Sequence, residues 1–111
     1  MIKIFINLKN SINGLKTTLK EHSFVIEIVG GFILIPYLVI AELDNVFKLI
    51  ILIAYFLILA FELINTAIEK LSDKITKDLD SDIKKIKDIS SASVFITVIL
   101  LITLLFLAHY L

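Results

Sequence analysis

Residues 62–74, ELINTAIEKLSDK, set Glu62, Asn65, Glu69 and Asp73 inside or against one of the most apolar stretches of a 111-residue chain. On an α-helix, at about 100° per residue, these positions (i, i+3, i+7 and i+11) fall within a narrow arc of one face, bordered by Thr66. A carboxylate turned towards lipid is costly, so this face has to look into protein, water or a bound cation. Glu69 and Asp73 alone would suit an interfacial anchor as well. The complete stripe asks for more.

The rest of the chain supports a membrane setting. It is 59% hydrophobic with balanced charge, far more apolar than a soluble protein of this size can hide. There is no cysteine, which excludes a disulfide frame and a zinc–thiolate cluster. Every cationic side chain is a lysine, so any phosphate must be held by ammonium groups, backbone N–H groups or a metal rather than by a guanidinium fork.

Three apolar segments, 24–41, 46–68 and 89–111, predict an all-α membrane protein with three transmembrane helices. The third holds no Asp, Glu, Lys or Arg and is long enough to span. The first two carry Glu27 and Glu62 near their ends, and they reach a full crossing only if those carboxylates lie at an interface or face inward. Pro36 is tolerable in a membrane helix because neighbouring groups satisfy the freed carbonyl. Before them, Phe5, Leu8, Ile12, Leu15 and Leu19 recur at three and four among Lys3, Lys9, Lys16 and Lys20, which predicts an amphipathic surface helix over 1–22. Four lysines precede the first span and six lie in the polar segment 70–88, against only Lys48 between the first two spans. That bias predicts a cytoplasmic N-terminus and 70–88 loop, with the C-terminus outside.

Other polar residues join the stripe's layer. Lys87 and Asp88 open the third span ahead of SSAS, residues 90–93, whose small side chains also permit close helix approach. Glu21 and Glu27 bracket the entry to the first span. Carboxylates converging beside a lysine suit Mg²⁺ held by one or two carboxylates together with substrate phosphates, and a further carboxylate can take a hydroxyl proton. With glycine only at 14, 30 and 31, neither a Walker A pattern nor a kinase glycine-rich loop can be written onto the chain. His22 and His109 lack partners at metal-ligand spacing. A different class of protein, non-catalytic with intramembrane carboxylates forming a proton or cation path, would also use Glu62. The outer halves of the spans offer such a path little beyond Tyr55, Thr97, Thr103 and His109.

ELINTAIEKLSD, followed after a charged segment by KDISSASV, resembles the signature of the small bacterial integral-membrane diacylglycerol kinases. The paired patterns are E-x-x-N-x-A-I-E-x-x-x-D and K-D-x-x-S-A, and the similarity extends over essentially the whole chain. The resemblance implies a homotrimeric bundle in the bacterial inner membrane that transfers the γ-phosphoryl of MgATP to a lipid hydroxyl, with no nucleic-acid partner. By position it implies Glu62 as the general base, supported by Asn65, and Glu21 and Glu69 as Mg²⁺ ligands that also contact ATP. Asp73, Lys87, Asp88 and Lys3 fall on the nucleotide side, and Ser91, Ser11 and Glu27 on the lipid side with Glu62. Lys3 stands where the family commonly has arginine. Relatives within the family phosphorylate undecaprenol with the same catalytic residues. E-x-x-F-x-x-E at Glu21, Phe24 and Glu27, together with KDISSAS, resembles the diacylglycerol branch.

Overall fold

The computed structural model describes residues 1–111 as four helices: α1 Ile2–Thr18, α2 His22–Ile40, α3 Asn45–Ile75 and α4 Ser81–Tyr110. The breaks between them have local causes. Thr18 turns its hydroxyl back onto the Gly14 carbonyl (2.8 Å), and Glu21, in extended conformation, separates α1 from α2. Asp44 caps α3 by accepting from the Val46 N–H (3.1 Å). Asp80 caps α4 by accepting from the N–H groups of Asp82 and Ile83 (2.9 and 3.0 Å). Pro36 lies within α2 without ending it.

α2, α3 and α4 are each long and apolar enough to cross a membrane. At 1.5 Å per residue the 31 residues of α3 run for about 46 Å, well past a hydrocarbon core of about 30 Å. The polar run 70–88 is therefore mostly helical. α3 continues to Ile75, α4 begins at Ser81, and only residues 76–80 form the connection.

α3 is the hub, packing most extensively on α4, then on α2, and lightly on α1. Its inward line is Ile51, Ala54, Tyr55 and Ile58, then Glu62, Asn65 and Thr66. α2 meets it with Phe24, Gly31 and Leu38, and α4 contributes Ser90 and Thr97, positions seven apart that keep one helix face on its neighbour. Gly31 is required by a close approach: a Cβ there would collide with the hydroxyl, Cζ and Cε2 of Tyr55. Only 14 of the 111 residues are buried, and large apolar side chains such as Phe32, Ile33, Val39, Phe95 and Ile102 stand uncovered. On three spanning helices that surface is suited to lipid or to other chains. The apolar residues of α1, Phe5, Leu8, Ile12 and Leu15, are likewise exposed. Between α2 and α4, which meet at Tyr37 and His109, lies a cleft of about 550 Å³ floored by Tyr55 and Ile58.

Candidate active site

Glu62 sits on the buried face of α3, only 4% exposed. A buried carboxylate needs donors, and one comes from α2: Ser23 Oγ donates to Glu62 Oε1 at 3.0 Å. One turn further along α2 the Glu27 carboxyl also neighbours Glu62, and its Oε2 is buried without a hydrogen-bond partner. The Glu27 turn is fixed from behind, because Tyr55 Oη donates to the Glu27 carbonyl at 2.9 Å.

One turn along α3, Asn65 is also buried, and its Nδ2 donates to Glu69 Oε1 at 3.2 Å. Asn65 Oδ1 is left buried and unpartnered. Glu69 and Asp73 stand on the exposed side, so the stripe changes from enclosed to open along its length. Glu21 pairs with Lys70 (2.9 Å), which ties the start of α2 to α3. Lys87 pairs with Asp73 (2.5 Å), which ties α4 to α3. These pairs are more than a third exposed on each side, where an ion pair contributes only about 0–1 kcal/mol. They are weak enough to be exchanged for a ligand's charges.

The structure thus brings Glu62 and Glu27 together across α2 and α3, pairs Asn65 with Glu69 one to two turns further along α3, and ties Glu21 to Lys70 and Asp73 to Lys87 beyond them. Lys87 and Asp88, neighbours in sequence, face different partners: Asp88 takes Lys84 on its own helix at 2.7 Å. Ser91 is exposed, and it is Ser90 that turns inward, its Oγ buried without a partner. Ser11 bonds back to the Asn7 carbonyl (3.0 Å) and lines a groove between α1 and α3 with Thr18, Thr66 and Lys70. Lys3 is exposed near the start of α1 and makes no ion pair.

No three His, Cys, Asp or Glu side chains converge as a ready metal cage. The donors present still fit Mg²⁺, which keeps water and phosphate ligands and asks little of the protein. The Glu69 carboxylate and the orphaned Asn65 Oδ1 are adjacent hard oxygens, with Glu21 one ion pair away. Sequence pattern alone missed Ser23, Lys70, Tyr55 and Ser90. Ser23 had a usable signal, since it precedes Glu27 by four and so shares its helix face.

No individual curated protein matches the chain. Residues 9–108 match the family described as prokaryotic diacylglycerol kinase, a stretch that runs from α1 nearly to the end of α4 and includes the whole Glu62 cluster. With nearly its entire length matched, the chain belongs to the prokaryotic diacylglycerol kinase family, a family of lipid kinases.

Proposed function

We propose that this chain transfers the γ-phosphoryl of MgATP to the hydroxyl of diacylglycerol, giving phosphatidic acid, as a homotrimer in a bacterial inner membrane with its N-terminus cytoplasmic. The observation that carries the reading is Glu62, a buried carboxyl at the point where the apolar line of α3 gives way to buried polar groups. Roughly 16 Å further along α3, at 1.5 Å per residue, Asp73 pairs with half-buried Lys87 of α4 at the polar end of the helices. In this reading the lipid hydroxyl comes to Glu62 by way of Glu27, which lines the apolar cleft, and the nucleotide comes to the Asp73–Lys87 pair from water.

In this mechanism the lipid hydroxyl oxygen attacks the γ-phosphorus. The new oxygen–phosphorus bond forms as the bond to the β–γ bridging oxygen breaks, and ADP leaves with that electron pair. The hydroxyl proton passes to the Glu62 carboxylate. Phosphoryl transfer asks a protein chiefly for positioning and charge stabilisation. Lys87 exchanges Asp73 for phosphate oxygens, and Asp73, Asp88 and Lys3 orient the nucleotide. Glu69 and Glu21, with Asn65 Oδ1, would hold Mg²⁺, which when bound would supply positive charge against the phosphate oxygens. Lys70, displaced from Glu21, becomes a further ammonium for the triphosphate. Ser11, Ser91 and Glu27 flank the lipid headgroup.

The test is transfer from labelled MgATP by the purified protein in mixed micelles, with diacylglycerol and undecaprenol offered side by side. Phosphatidic acid is the expected main product. Undecaprenyl phosphate as the main product overturns the lipid assignment and keeps the chemistry; no transfer to either, from folded protein, overturns both. Glu62→Gln should lose turnover by about 10²-fold or more, the scale of general base catalysis, while keeping its affinity for MgATP.

A further inference from the structure

Of the serine and threonine hydroxyls that donate hydrogen bonds, most bond back to their own helix. Ser11, Thr17 and Thr18 reach the carbonyl four residues earlier, and Ser93 and Thr97 the carbonyl three earlier. Ser23 is the exception. It stands in the first turn of α2, where no carbonyl of its own helix lies behind it, and its hydroxyl crosses to Oε1 of Glu62 on α3.

That placement has a stereochemical consequence. An ionised carboxylate has two equivalent oxygens and only accepts hydrogen bonds, whereas a hydroxyl has one proton to give. With the Ser23 proton committed to Oε1, the two oxygens are no longer equivalent. Glu27, one turn on and on the same face of α2, presents its carboxyl beside Glu62, and its helix turn is held by Tyr55. The base is thus steered from one helix face by a donor and a second acid.

We infer that Ser23 is a positioning residue for phosphoryl transfer: its hydroxyl holds Oε1 of Glu62, so that Oε2 takes the lipid's proton. This rests on the kinase reading above. Ser23 does not itself exchange a proton. In the step, the lipid O–H bond breaks, Oε2 gains the hydrogen, and the lipid oxygen keeps the electron pair with which it attacks phosphorus. Oε1 can accept from Ser23 before the transfer and after it, so the bond need not break during turnover.

Three forms of the full-length protein decide the matter in mixed micelles containing diacylglycerol: wild type, Ser23→Ala and Ser23→Thr, each first shown to be folded by its helical circular dichroism and its unfolding midpoint in SDS. Loss of a hydrogen bond to a charged group should lower kcat for Ser23→Ala by roughly ten- to a hundredfold. KM for MgATP should stay at the wild-type value, because the Ser23 hydroxyl bonds to Glu62 and to none of the groups assigned to the nucleotide. Ser23→Thr, which keeps the hydroxyl, should recover most of the rate. The inference falls if Ser23→Ala turns over like an active wild type, if its defect lies in KM for MgATP rather than kcat, or if Ser23→Thr is as slow as Ser23→Ala. A wild type that phosphorylates no lipid sinks the kinase reading instead, so the two failures are distinguishable.

Discussion

Gly30 and Gly31 are adjacent in one helix, yet alanine at each should change stability in opposite directions. Neither has a positive φ, so neither position needs glycine for its backbone, and alanine gains up to about 1 kcal/mol of helix propensity at each. At Gly30 a Cβ meets nothing within 4 Å, so that gain stands alone. At Gly31 the Cβ collides with the Tyr55 hydroxyl and two ring carbons, and the ring has to move. It has somewhere to go, because Tyr55 borders the cleft between α2 and α4, which keeps the cost below that of a rigid overpacked core. Swinging out still forfeits its hydrogen bond to the Glu27 carbonyl, about 1 kcal/mol, and misfits the α2–α3 contact for about 1–3 kcal/mol more. After the propensity gain, Gly31→Ala should be less stable than wild type by about 1–3 kcal/mol and Gly30→Ala slightly more stable. Unfolding in mixed micelles by SDS titration, followed by helical circular dichroism, reads both. Tyr55→Leu combined with Gly31→Ala should cost less than the two changes separately, since the same atoms are in conflict. If Gly31→Ala matches Gly30→Ala, the close approach of α2 to Tyr55 is wrong, and the placement of Glu27 beside Glu62 falls with it.

The remaining predictions concern the exposed end of the cluster. Lys87→Gln should raise KM for MgATP by roughly tenfold or more, the scale of a lost charge-assisted hydrogen bond, while leaving unfolding in SDS nearly unchanged, because the Asp73 pair is exposed. A large stability loss with normal KM would make that pair structural. Glu69→Gln should lower the rate and shift the magnesium activation curve to higher concentration. An unchanged curve would remove Glu69 from the metal site.

The spans were legible because length and hydropathy decide them locally, and the stripe on α3 because helical period does. The extent of α3 and α4 beyond those spans was harder to read. Between Pro36 and the C-terminus there is no glycine or proline, so the charged run after Ile68 carries no breaker and stays helical until Thr76. Solvation was legible there, whereas helicity was not. The partners of Glu21, Glu62 and Asp73 were hidden for another reason. Ser23–Glu62, Lys70–Glu21 and Lys87–Asp73 join different helices, and no periodicity within one helix encodes which neighbour it meets. Lys87 and Asp88 make the point at its smallest scale. Adjacent in sequence, they are about 100° apart on α4, enough to send one to α3 and the other back along its own helix.

The distribution of polar groups also separates two chemistries that both begin from a buried carboxylate. From Glu27 the cleft passes Gly30, Ile33, Leu34, Ile58, Val98 and Leu101 before reaching the hydrogen-bonded pair of Tyr37 and His109. Tyr55, the polar side chain on its floor, spends its hydroxyl on the Glu27 carbonyl. Ten residues of helix separate Glu27 from Tyr37, about 15 Å at 1.5 Å per residue. A proton or cation following one chain would cross that distance with only hydrocarbon around it, which is the expensive environment for charge. Phosphoryl transfer to a lipid needs the reverse arrangement. Its reacting oxygen has to meet a base and the terminal phosphoryl group of a nucleotide that reaches in from water, while the remainder of the lipid stays among apolar side chains. Glu62 is enclosed, Glu69 and the Asp73–Lys87 pair follow it two and three turns along α3 towards water, and the apolar cleft runs the other way from Glu27, so the polar groups open to one side of the span only.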